Sequence, residues 1–83
     1  MFKSTYEFGQ AMVQILRQLC NEIDLSDLSS PENESDRDAA IVECINKGYI
    51  SGVTYDYTQD GKAHFCVGDL RVTYSGLSFM ESS

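Results

Sequence analysis

Apolar residues keep a helical spacing in this chain as far as Gly48 and then alternate at every second position. The fold must therefore join helices at its start to a β-hairpin near its end. From Ser4 to Ile23, the residues Phe8, Met12, Ile15, Leu16, Leu19 and Ile23 recur at three- and four-residue steps, which places them on one face of a first helix. Ser4 and Glu7 stand in the S/T-x-x-E order of a capping box, where each side chain satisfies an orphan backbone N–H. From Asp24 to Ser30, Leu25 and Leu28 lie among cap- and turn-forming residues, which predicts a single docked helical turn. Ser30 and Pro31 read as the N-cap and first position of a long helix, because proline's missing N–H and fixed φ cost nothing there. Its expected buried stripe is Ala40, Ile41, Cys44 and Ile45, and Gly48, just after Lys47, suits a left-handed cap.

Beyond the cap, Val53, Tyr55 and Tyr57 alternate with Thr54, Asp56 and Thr58, and the following Asp60-Gly61 favours a two-residue type I′ turn. That turn would pair Tyr57 with His64 and Tyr55 with Cys66, and set Asp56 and Thr54 opposite Phe65 and Val67. Both faces then carry apolar groups, so the pattern leaves open which one is buried. Thr73 suits the N-cap of a last helix, with Leu77 placed for a hydrophobic staple to Val72 and with Phe79 or Met80 docking on the first helix. The expected fold class is α+β, a winged helix-turn-helix in the order helix, short helical turn, helix, β-hairpin wing, short C-terminal helix.

A chain of 83 residues has room for one core, so residues 1–83 are expected to form a single domain. Thirteen acidic side chains against six basic ones give a net charge of −7, which repels polyphosphate at long range and favours a basic partner surface. Cys20, Cys44 and Cys66 are odd in number and too widely spaced for a CxxC motif; they are expected to be reduced, small buried hydrophobes in a cytoplasmic protein. No secretory signal or membrane-spanning run is legible, so no membrane partner is expected.

The segment NKGYISGVTYDYTQDGKAHF and the later LRVTYSGLSFMESS resemble the YjcQ-like winged-helix proteins of Gram-positive bacteria and their phages. The resemblance rests on Gly48, Tyr49, Ile50, Gly52 and Val53 at the step into the wing, and on Arg71, Val72, Thr73, Gly76, Leu77, Phe79, Met80 and Glu81 at the closing helix. It is best from Asp36 to Ser83, and it implies a winged helix in a phage or mobile-element setting, with no enzymatic activity. Two departures stand out. Members of that family often carry a bulky aromatic where this chain has Asp38, Ala39 and Ala40, and many continue into a further C-terminal helix.

No catalytic residue, metal ligand or cofactor is expected. The lone His64 reads as a wing residue packed near Tyr57, and no G-x-S-x-G, phosphate-binding glycine loop or calcium loop is present. The remaining chemistry is that of contact. Glu32, Asp36 and Glu43 on the long helix, with Tyr55 and Tyr57 on the wing, are the expected partner-binding residues, since carboxylates attract a basic surface and tyrosines supply desolvated area. Asp36 and Glu43 are seven residues apart and nearly eclipsed. The expected partner is a basic host protein such as a nucleic-acid-binding effector, Cas9-type included, held by an inhibitor that mimics DNA charge as anti-CRISPR proteins do. The alternative is a winged-helix DNA-binding regulator. Against it, the segment from Glu32 to Lys47 sets five carboxylates against Arg37 and Lys47. A monomer or weak homodimer is expected.

Overall fold

A computed structural model describes residues 3–28 and 33–82. The order is helix α1 (Thr5–Cys20), a single 3₁₀ turn (Leu25–Asp27), helix α2 (Glu34–Asn46), strands β1 (Ile50–Tyr57) and β2 (Ala63–Val72), and helix α3 (Tyr74–Glu81). This is a small α+β arrangement in which the helices precede and follow one antiparallel hairpin. Its order is the one expected of a winged helix.

Ser4 caps α1 by accepting from the Glu7 N–H at 3.2 Å, but the Glu7 carboxylate accepts from the Lys3 N–H, so the capping box closes on the neighbouring residue. The helix stops at Cys20, short of the expected Ile23. Glu22 takes a left-handed φ of 65°, and the N–H groups of Glu22 and Ile23 donate to the carbonyls of Leu19 and Gln18. This is the Schellman pattern, which satisfies the last carbonyls and turns the chain away. Ile23 is consequently exposed, outside the buried stripe.

Met12, Ile15 and Leu16 of α1 pack with Ala40, Ile41 and Cys44 of α2, Leu28 after the 3₁₀ turn, and Ile50 and Val53 of β1. Leu25 and Ile45 are half-buried at the margin of this core. The start of α2 lies at Glu34, where the Asn33 side chain accepts from the Asp36 N–H. Ser30 and Pro31, expected to begin it, fall outside the described residues. Gly48 follows the helix with φ 75°, as a left-handed cap requires.

The hairpin differs from expectation by one residue of register. Thr58 accepts from the Gly61 N–H and donates its own N–H to Lys62, both at 2.9 Å, and only Gly61 has positive φ. The connection is a type I turn over Gln59 and Asp60 followed by a left-handed glycine, the three-residue alternative to a type I′ turn. Asp60 therefore stays in an ordinary conformation, where its carboxylate accepts from the Thr58 hydroxyl. Tyr57 pairs with Ala63, Asp56 with His64, Tyr55 with Phe65, Thr54 with Cys66 and Val53 with Val67. Opposed residues share a face, so Val53, Tyr55 and Phe65 turn to the core side, and Thr54, Asp56, His64 and Cys66 are exposed together. His64 is thus not packed against Tyr57. Of the three cysteines, only Cys44 is buried; all three are free thiols.

Thr73 caps α3 by accepting from the Gly76 N–H, and its hydroxyl donates to the Gly48 carbonyl while its N–H donates to Tyr49. One residue therefore ties α3 to the end of α2. Tyr49 stacks on Phe79, with ring centroids 4.7 Å apart. Phe79 and Met80 are half-buried against the core, and the Phe79 ring lies over Gly9 of α1.

Candidate functional site

Helix α2 has α1 along one side and the hairpin along the other, and the arc left between them carries Asp36, Ala39, Glu43 and Lys47. Asp36 and Glu43 are half-buried two turns apart on this ridge. Glu43 meets Lys47 at 3.9 Å across one helical turn, an exposed pair of small energetic weight. Glu32 lies outside the described residues.

The hairpin brings the two tyrosines to the same helix. The Tyr55 hydroxyl donates to Asn46 Oδ1 at 3.0 Å, which fixes that ring one turn beyond Glu43. Tyr57 meets Tyr55 edge-to-face at a centroid distance of 5.6 Å and remains 63% exposed. With Ser35, Asp38, Ala39, Val42 and Lys62 it lines a cleft of about 190 Å³ between α2 and the hairpin tip. The tyrosine pair is therefore tied to α2 at Asn46, while the carboxylate that lines the cleft at Tyr57 is Asp38, and Asp36 and Glu43 lie on the neighbouring arc of the same helix. No protein-family model, curated protein or solved structure matches this chain.

Two arginines are engaged away from the ridge. Arg37, which the sequence presents as a cation on the long helix, donates from Nη1 to the Leu28 carbonyl at 2.7 Å and so clamps the 3₁₀ turn to α2. Arg71 pairs with Asp69 at 3.0 Å. Asp38 is half-buried, and burial raises its pKa above the ordinary carboxylate value; Glu34 adds to this, and Arg37 and Lys62 oppose it. Neither role was legible in the sequence, because nothing local to Arg37 or Asp38 indicates that Leu28 or the hairpin tip will arrive beside it.

Asp56, His64 and Cys66 share the exposed hairpin face, yet among the described residues no hydrogen bond joins them into a nucleophile and base. Nor do the described residues place three or more His, Cys, Asp or Glu side chains where they could hold a metal ion. No described helix is long and apolar enough to cross a membrane. Burial, with the nearby negative charge of Glu43, pushes the Cys44 thiol up to about 12, so it stays protonated and unreactive at neutral pH. Iodoacetamide is expected to modify Cys20 and Cys66 in the native protein and to spare Cys44. Intact mass would then show two adducts, and equally fast labelling of Cys44 would contradict its place in the core.

Proposed function

We propose that this protein is a winged-helix-like, non-enzymatic binding protein whose α2 ridge and tyrosine pair dock on a basic surface of another protein. The observation that carries this reading is that α2 bears the half-buried Asp36 and Glu43 and also holds the Tyr55–Tyr57 pair through Asn46, in a chain of net charge −7. Carboxylates at such a surface speed encounter with a cationic partner, and tyrosines contribute contact area with little entropy to lose. The resemblance to YjcQ-like proteins supports a phage or mobile-element setting. There the fitting partner is a host nucleic-acid machine whose positively charged channel the acidic surface would occupy, in the manner of an anti-CRISPR protein.

Reversing Asp36 and Glu43 to lysine changes the net charge by four without touching the core. Association with a basic partner captured from the host is expected to slow by about tenfold at low salt, with thermal stability nearly unchanged. A second reading, a DNA-binding regulator, is favoured by the helix-then-hairpin order alone. Under it the same reversal would tighten binding to duplex DNA. Micromolar or tighter binding of the native protein to duplex DNA near physiological salt, with no protein partner recovered, would overturn the first reading.

A further inference from the structure

The hairpin is a two-stranded sheet, so among the described residues β2 has a second edge with no strand beside it. That edge faces an open groove of about 890 Å³, walled by residues 63–72 of β2 on one side and by the end of α1, the 3₁₀ turn and α2 on the other; β1 contributes nothing to it. Tyr55 and Tyr57 do not line the groove, which meets the cleft at Tyr57 along Asp38 and Ala63. We propose that it accepts an extended basic peptide, which adds to β2 as a third strand.

Register shows which backbone groups are available. Thr58 and Lys62 form a hydrogen-bonded pair, and bonded and unbonded pairs alternate along an antiparallel ladder. Asp56 with His64 and Thr54 with Cys66 are then the bonded pairs. Ala63, Phe65 and Val67 consequently direct their N–H and C=O groups away from β1 and into the groove. Such an edge supplies main-chain hydrogen bonds to an added strand, whose alternate side chains find pockets.

The walls state what those side chains should be. Ile23 and Val67 are apolar and exposed, at 36% and 53%, and Leu25 is half-buried between α1 and α2. Around them stand the carboxylates of Glu22, Asp24, Glu34, Asp38 and Asp69. Arg37 and Arg71 also line the groove and offset two of these five charges, so the walls keep a net negative charge, and both guanidiniums are engaged, the first by the Leu28 carbonyl and the second by Asp69. A strand alternating apolar residues with lysine or arginine satisfies both features. A second copy of this chain does not, because edge-to-edge pairing would bring two sets of these carboxylates together.

The test uses a short, end-capped, fluorescein-labelled peptide alternating valine and lysine, with anisotropy read at physiological salt. It is compared with the valine and glutamate peptide and with a lysine version N-methylated at alternate amides. The lysine peptide should bind about tenfold more tightly than either comparator, since each loses either the charge match or the edge hydrogen bonds. Val67→Pro removes an outward N–H that β1 does not use, a substitution edge strands tolerate, and should weaken binding by about tenfold. The Asp36→Lys, Glu43→Lys protein should bind the peptide as the native protein does, which separates this site from the α2 ridge. Equal binding of the N-methylated or glutamate peptide overturns the proposal. So does loss of binding in the ridge variant with retention in Val67→Pro, or a native dimer that Val67→Pro dissociates without any peptide binding. Should Val67→Pro fail to fold, the N-methylated comparison on native protein decides.

Discussion

Replacing Gly52 with alanine is expected to destabilise the protein by about 2–5 kcal/mol and lower its Tm by about 10 °C or more. Gly52 sits where the pairing of β1 and β2 shifts between Ser51 and Val53, and its φ is 78°. A left-handed conformation costs a residue with a Cβ about 1–2 kcal/mol. The larger difficulty is space: a Cβ at Gly52 would lie 1.9 Å from the Asp69 carbonyl oxygen and 2.9 Å from the Leu70 nitrogen. Both are backbone atoms, so relief requires the bulge itself to move. A domain of this size holds about 4–12 kcal/mol in all, so the variant would sit close to the folding threshold. Gly61→Ala is the control, because its φ is 81° but nothing lies within 4 Å of the added carbon. It should cost only the conformational term, about 1–2 kcal/mol. Equal melting temperatures for the two variants would show that the Asp69 contact is not a constraint.

The second large effect is expected in the core. Leu16 is fully buried and Ile41 is 2% exposed, and both belong to the cluster that joins α1, α2 and β1. Truncating either to alanine removes apolar surface and leaves a cavity that the packed helices fill only in part. Each should therefore cost about 2–5 kcal/mol, measured by urea denaturation. Leu77→Ala should cost far less, since Leu77 is 43% exposed at the outer side of α3. The ranking is the test. If Leu16→Ala unfolded at the same urea concentration as Leu77→Ala, α1 would be presenting a different face to the core.

These effects divide what is local in this protein from what is not. Ser4 and Thr73 act as caps because a hydroxyl needs only the N–H three residues ahead, and both positions are legible from spacing alone. The stripes of Met12, Ile15 and Leu16 and of Ala40, Ile41 and Cys44 follow from helical periodicity in the same way. The acidic ridge on α2 also came from spacing. Asp36 and Glu43 share a side of any helix that contains them.

The hairpin shows where local pattern stops being sufficient. Asp60-Gly61 is compatible with either a two-residue or a three-residue connection, and the choice depends on whether Asp60 or only Gly61 takes positive φ. That choice moves every partner on β2 by one residue, so it decides that Phe65 turns inward and that His64 and Cys66 face outward. Strands side by side in space, not neighbours in sequence, settle it.

Composition, caps and helical faces are thus properties of the sequence by itself, because each depends on contacts within four residues or on summed charge. Only the tertiary structure decided that Arg37 serves Leu28 instead of a partner, and that the tyrosine pair is tied to α2 through Asn46. It also decided that β2 keeps an open edge beside a carboxylate-lined groove. Each of these depends on groups far apart in the chain whose approach is set by packing of the shared core, and no short window of sequence contains both partners.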